Sequence, residues 1–249
     1  MFKMVFVAIF CLICLPLRGW AVEIAHVGGY PFLPFVDKSS GVTFDLIKAM
    51  NDYQSEYRFE FVPTSANRRY RDMADGVFTV IFFENVGWGW DAKTVDSSNV
   101  YLSGDGEVYV ALNAPGRGQS YFDTLQDKAI IGVLGYHYAF ADFEADQLKL
   151  SQKFKILFSQ DNEVSLRKLL TRHGDVAVIT RSFLQGFLER HPESKGKFLV
   201  SERFDQVYTH TALVKKGSRP TVGEINALLS GMGKAGVLKK IWVKHGIAN

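Results

Sequence analysis

Cysteine is almost missing from this 249-residue chain, and the two present, Cys11 and Cys14, both lie near the N-terminus. Beyond them there is no thiol to form a disulfide, a thiolate metal site or a cysteine nucleophile. The six histidines, at positions 26, 137, 173, 191, 210 and 245, show no His-x-x-x-His or comparable metal-ligand spacing. No Gly-x-Ser-x-Gly elbow and no phosphate-binding loop occurs. Gly231-Met232-Gly233-Lys234-Ala235-Gly236 has the letters of a dinucleotide fingerprint, but it follows a helical pattern rather than a strand and reads as a turn between the last two helices. No cofactor is expected, and no metal. Charge of one sign is also lacking, with 29 Lys and Arg against 26 Asp and Glu. The one dense basic patch, Arg68-Arg69-Tyr70-Arg71, falls short of the broad basic face that nucleic acid requires, so a nucleic-acid partner is set aside.

Long apolar runs are scarce too. The only one is Met4–Leu17, broken by Pro16 and shorter than the roughly 20 residues of a membrane span. Lys3 precedes it, and Arg18-Gly19-Trp20-Ala21 places small residues before a cut after Ala21. This three-part pattern reads as a cleaved signal peptide over residues 1–21, so the chain is expected to be exported. The mature chain would then hold no cysteine, and its stability would come from its core, which this length can supply.

With 47% hydrophobic and 22% charged residues the composition is that of an ordinary globular protein. From Val22 onward strand-like and helix-like segments alternate. Val22–Val27 reads as a strand; Phe44, Leu46, Ile47 and Met50 recur at helical spacing; Arg58–Val62 alternates. Asn67–Met73 reads as a short helix and Val77–Phe83 as a buried strand, with further strands at Glu107–Leu112, Ala129–Leu134, Phe154–Phe158, Val176–Ile179, Phe198–Val200 and Thr211–Val214. A helix is expected after Gly135-Tyr136-His137-Tyr138. Another follows a cap at Asp161 or Asn162, with Gly174 at its end; Ser182–Glu189 is a third, and two more close the chain. Such alternation argues for an α/β fold with largely parallel sheets. The pattern occurs twice, split by the Gly- and Pro-containing Asn113–Ser120 segment, which suggests two lobes with a cleft between them.

The order of several motifs resembles the type II periplasmic solute-binding proteins, in particular the amino-acid-binding family (family 3) of ABC transporters. Tyr30-Pro31-Phe32-Leu33-Pro34-Phe35-Val36-Asp37 is similar to that family's first loop, and Gly41-Val42-Thr43-Phe44-Asp45-Leu46 to the opening of its first helix. Ala92-Lys93-Thr94-Val95-Asp96, Gly132-Val133-Leu134-Gly135-Tyr136-His137-Tyr138 and the ending Ile241-Trp242-Val243-Lys244-His245-Gly246 resemble later family segments in the right order. The resemblance covers essentially the whole mature chain. It implies a two-lobed α/β fold with a hinge of two crossing strands, lobe 1 being 22–113 with 206–249 and lobe 2 being 114–205. It also implies a periplasmic monomer that takes a small-molecule ligand and works with an ABC permease or a membrane sensor.

The chain departs from the family at the ligand handles. The family arginine that pairs with a ligand carboxylate has Asp91 in its place, and the family acid that takes the ligand ammonium has Thr180. Aromatic residues crowd the same loops: Tyr30, Phe83, Trp88, Trp90 and Tyr136, beside the single carboxylate Glu84. Such a cleft suits a cation or a flat ring, at roughly 0.5–2 kcal/mol per cation–π contact. Phe82 reads as core. Arg68 stands eight residues before Gly76, where divergent members carry an arginine that reaches the cleft, whereas Arg69 and Arg71 read as a solvated helix face. His137 sits at an expected helix N-terminus whose amides can hold an anion. The ligand-binding candidates are thus Tyr30, Arg68, Phe83, Glu84, Trp88, Trp90, Tyr136, His137 and Thr180, with no catalytic residue assigned. Two alternatives stand beside a solute-binding role: a dehydratase-like enzyme using Glu84, Asp91 or His137 as acid or base, and an interaction module whose cleft is filled.

Overall fold

The computed structural model describes residues 22–247. The expected signal peptide, its cleavage site after Ala21 and both cysteines lie outside the described residues. In chain order the elements are β1 (Glu23–Gly29), α1 (Val42–Tyr53), β2 (Tyr57–Pro63), α2 (Arg69–Ala74), β3 (Val80–Glu84), β4 (Val95–Ser97) and β5 (Leu102–Leu112). They continue with β6 (Ile130–Val133), α3 (Gln147–Lys153), β7 (Ile156–Ser159), α4 (Asn162–Leu170), β8 (Val176–Thr180) and α5 (Arg181–Arg190). The long strand β9 (Phe198–Lys215) and helices α6 (Val222–Lys234) and α7 (Val237–Lys244) complete the chain.

The strands join in the order β2-β1-β3-β9-β5-β8-β6-β7, with β4 also paired to β9. The sequential βαβ units produce the expected parallel pairs, β1 with β2 and β3, and β6 with β7 and β8. Helix positions follow local chemistry. Val42, Leu46, Ile47 and Met50 bury one face of α1. The Asp161 side chain caps α4 by accepting from the Val164 N–H at 2.8 Å, and Thr221 and Glu224 form a reciprocal capping box on α6.

Several elements differ from the sequence reading. The segments Phe198–Val200 and Thr211–Val214 are two ends of one 18-residue strand. Its middle, Ser201–His210, has no apolar period, so its strand conformation comes from pairing with β5 rather than from its own pattern. β5 in turn starts at Leu102 rather than Glu107. Gly106 is a point of close approach between the two strands, since a Cβ there would sit 2.1 Å from the Gln206 carbonyl oxygen. Upstream of this crossing β9 pairs with β5 in the half that also holds β6, β7 and β8; downstream it pairs with β3 and β4. Glu107–Val110, placed by the sequence in the first lobe, pairs with β8. The helix expected right after Tyr138 is only a single turn, Ala139–Ala141. Arg172, at φ 60°, ends α4 in place of Gly174, while Gly231 and Gly233 lie inside α6.

Two apolar clusters result. One lies under α4 and α5 and contains Val108, Val110, Leu166, Leu169, Phe183 and Phe187. The other is larger and runs through both halves, joining Leu46, Phe78 and Trp242 to Tyr109, Tyr136 and Tyr138. The lobes are therefore packed directly on each other.

Candidate functional site

The site forms where the two crossing strands meet the loops after β1, β3 and β6. The ring pair Tyr30 and Phe32 follows β1, stacked at 5.9 Å. From the opposite lobe Tyr136 stands edge-on to both, at 6.3 and 5.4 Å, and donates its hydroxyl to the Pro31 carbonyl at 3.0 Å.

A bulge in β3 shapes the next wall. Register shifts between Ile81 and Glu84, and Phe83 adopts φ 60°, a conformation rare outside glycine. The twist carries the Phe83 ring into the core, 4.6 Å from Phe35 and 5.6 Å from Tyr101, whose hydroxyl accepts the Phe83 N–H. Phe83, a candidate for ligand contact, is thus a core residue, like Phe82. Glu84 instead turns toward α2 and receives the Trp90 indole N–H at 2.8 Å.

Facing Glu84 is Arg69. The sequence reading placed Arg68 in the cleft and Arg69 on the solvated face; the structure reverses them. Arg68 has a side chain 74% exposed and pairs with Asp72 at 3.2 Å. Arg69 is 1% exposed and lies 3.1 Å from Glu84, Nε to Oε1. The physical reason is helix phase: α2 starts at Arg69, which shares its inward face with Met73 one turn on, and consecutive arginines carry no apolar signal to show that phase. The guanidinium also lies over the rings of Tyr30 (4.6 Å), Tyr70 (4.4 Å) and Trp90 (5.8 Å) and donates to the Ala66 carbonyl. The aromatic cage expected for a ligand cation already holds the chain's own cation. Burial pushes the Glu84 carboxyl up, and Arg69 and Trp90 pull it back. Since an arginine stays charged in proteins and Glu84 is its nearest counter-charge, the pair is ionised.

The crossing strands add polar groups that the sequence reading missed. The Trp88 indole donates to Gln206 Oε1 at 3.1 Å, and Gln206 Nε2 donates to Glu107 at 2.6 Å and to the His137 carbonyl at 2.5 Å. Burial first, then the Asp205 charge, raises the Glu107 carboxyl well above the ordinary range. Glu107 is the one acid in the strand Glu107–Leu112 expected from the sequence, at the head of an apolar run, which is the one signal that could have marked it. Gln206 and Tyr208 lie in the stretch that carried no strand pattern. Thr180 is fully buried one layer back, accepting from Asn162 at 2.9 Å and lying 3.3 Å from the Tyr208 hydroxyl.

His137 holds the lobes together from the far side. Its Nδ1 donates to the Phe143 carbonyl at 2.6 Å, and its Nε2 lies 2.8 Å from the Tyr70 hydroxyl. Tyr70 is also 2.7 Å from the Trp88 carbonyl. A neutral ring and one phenol supply two protons for three contacts, so Tyr70 divides its proton between two acceptors. Burial pushes His137 down to about 4, so it is neutral at pH 7. The amides expected near His137 to hold an anion are already occupied: Asp205 accepts from Ala139 and Phe140 at 2.7 and 2.9 Å, and from the Tyr109 hydroxyl at 2.6 Å.

Together Tyr30, Phe32, Arg69, Trp88, Glu107, Tyr136, His137, Gln206 and Tyr208 surround a small cavity that leaves about 10 Å³ for the centre of a water-sized sphere, room for about one water. Of the sequence candidates, Tyr30, Trp88, Tyr136 and His137 line it. Glu84 and Trp90 stand behind Arg69, Thr180 behind Tyr208, and Arg68 lies outside. A wider groove of about 910 Å³ runs between Leu33, Pro34, Asp37, α5 and Lys244–Gly246, but the charged side chains on it, such as Asp37, Glu189 and Lys195, are solvent-exposed.

No protein-family model matches the chain, and no curated protein matches it. Solved structures do. An ancestral arginine-binding protein bound to arginine is 21% identical with a TM-score of 0.67, over 89% of this chain and 97% of that one. A binding component of an ABC transporter from Wolinella succinogenes complexed with lysine is 16% identical with a TM-score of 0.70, over 89% and 95%. An ancestral amino-acid-binding protein described as a precursor of cyclohexadienyl dehydratase is 19% identical with a TM-score of 0.66, over 89% and 95%. At these identities the likeness establishes the fold: this chain has the two-lobed α/β fold of the periplasmic amino-acid-binding proteins.

Proposed function

We propose that this protein is an exported solute-binding protein that closes its two lobes on a small molecule at the crossing strands. The observation that carries the reading is the polar group set buried between the lobes. Arg69, Glu107 and His137 are buried on the walls of one small cavity, with Gln206 half-buried beside them and Glu84 buried behind Arg69, where an apolar filling would be more stable. Arrangements that oppose the core-packing rules cluster at functional sites, and clefts between lobes are where small ligands bind. Neighbours of the same fold bound to arginine and to lysine support a small-molecule ligand.

In this reading lobe 1 comprises residues 22–103 and 207–247, and lobe 2 residues 107–205. The boundary moves back from 114 because Glu107–Val110 belongs to the β8 side of the sheet. The irregular crossing at 103–108 is the hinge. Among the described residues no helix is long and apolar enough to cross a membrane. The export signal expected over 1–21 and the likeness in fold support delivery of the ligand in the periplasm to an ABC permease or a membrane sensor.

The filled cleft favours a second reading, an interaction module that stays shut. Thermal shift of the purified protein separates the two. With broad metabolite panels, a ligand at a hundredfold excess over Kd adds about 2.7 kcal/mol, and no shift with any amine, acid, base or ring would leave the second reading in place. An enzyme on the same fold is tested in the same samples, since turnover of a bound ligand would show by mass spectrometry.

A further inference from the structure

The charges around the cleft cancel, and that limits what it can hold. Arg69 is matched by Glu84 at 3.1 Å. His137 is neutral, held between a carbonyl and a phenol. Glu107 is buried without a basic partner, bonded to Gln206 and flanked by the acids Asp105 and Asp205, so its surroundings favour the neutral carboxyl. No group is left to balance a ligand carboxylate or ammonium, and burying either without a counter-charge is strongly opposed. The walls Phe32, Trp88, Tyr136 and Tyr208 are flat. At one end a carboxyl and a carboxamide lie side by side, Glu107 and Gln206, 2.6 Å apart. The Gln206 amide is oriented without ambiguity, because the Trp88 indole can only donate to it and the His137 carbonyl can only accept from it.

We propose that the ligand is an uncharged planar ring with adjacent hydrogen-bond donors and acceptors on its edge, of the nucleobase class, rather than an α-amino acid. The proposal rests on the solute-binding reading above. The ring enters as the lobes part, stacks where Tyr136 and Trp88 now meet Phe32 edge-on, and exchanges its edge for contacts now made within the Glu107–Gln206 pair.

The test is calorimetric titration of the purified protein at pH 7.5 with three sets of compounds. These are adenine, hypoxanthine and uracil; benzoate and 4-hydroxybenzoate; and arginine, glutamine and phenylalanine. We expect at least one base to bind tenfold or more tighter than every carboxylate and amino acid. Glu84→Gln leaves Arg69 without its counter-charge and should raise benzoate affinity at least tenfold, and Arg69→Met added to it should abolish that gain. If Glu84→Gln does not fold, the wild-type ranking decides alone. An amino acid or benzoate binding tighter than all the bases overturns this proposal and leaves the solute-binding reading intact. Binding of nothing in the three sets overturns this proposal, and the broad thermal-shift panels then decide the solute-binding reading separately.

Discussion

Replacing His210 by Leu should stabilise this protein, and more so in acid. His210 is fully buried on β9, boxed by Phe35 at 4.7 Å, Tyr208 at 4.8 Å, Phe83 at 5.6 Å, Phe32 at 6.0 Å and Trp88 at 6.1 Å. Neither ring nitrogen has a hydrogen-bond partner. A buried polar group left unbonded costs about 1–3 kcal/mol, whereas an apolar swap of similar volume usually costs under about 1.5 kcal/mol. The net gain at pH 7.5 is therefore about 1 kcal/mol, or roughly 2–4 °C in Tm at this length. The pH dependence follows from the same burial, which pushes His210 down to about 3. Between that value and the ordinary histidine value near 6.5 the unfolded chain binds a proton that the folded chain refuses, so wild-type stability falls as pH falls, by about 1.4 kcal/mol per unit. His137, depressed to about 4, adds a similar slope that the variant keeps. At pH 5 the advantage of His210→Leu should exceed its pH 7.5 value by about 2 kcal/mol. Urea unfolding of both proteins at the two pH values measures this. A variant clearly less stable at pH 7.5, with a gap that does not widen at pH 5, would refute the reasoning.

Other consequences can be checked in the same samples. Arg69→Met strands the Glu84 charge in the core and should cost about 3–5 kcal/mol, while the double change with Glu84→Gln recovers most of it and Arg68→Met changes the urea midpoint negligibly. Equal effects of Arg69→Met and Arg68→Met would contradict the helix phase. Gly135 has φ 79°, and a Cβ there would meet Asn67 Oδ1 at 2.4 Å, so Gly135→Ala should hold the lobes apart and raise the radius of gyration in solution scattering. An unchanged scattering curve would refute that. Asp205→Ala removes the acceptor for Ala139 N–H, Phe140 N–H and the Tyr109 hydroxyl, and should cost about 2–4 kcal/mol in urea unfolding. A loss under about 0.5 kcal/mol would mean that water replaces the carboxylate.

Much of the frame could be read before the structure. Strand–helix alternation marks an α/β fold because βαβ units need a helix between parallel strands, and the paired parallel strands on β1 and on β6 follow that alternation. Asp161 and Thr221 start helices through chemistry that spans only three residues. The Tyr30 and Tyr136 loops are legible for the same reason, since each directly follows an apolar strand that ends in glycine-containing sequence.

What the sequence could not supply depends on contacts between residues far apart in the chain. The polar middle of β9 is a strand only because β5 lies beside it. Phe83 and Glu84 exchange the faces that an unbroken alternation would give them because of one bulged residue. Arg69 rather than Arg68 enters the cleft because a helix rotates by about 100° per residue and consecutive arginines carry no apolar period to show which of them faces inward. Composition and local period determined that this chain makes two α/β lobes with aromatic loops between them. Only the tertiary structure decided that the cation in the aromatic cage is the protein's own, because whether a charge is balanced depends on which groups folding brings together.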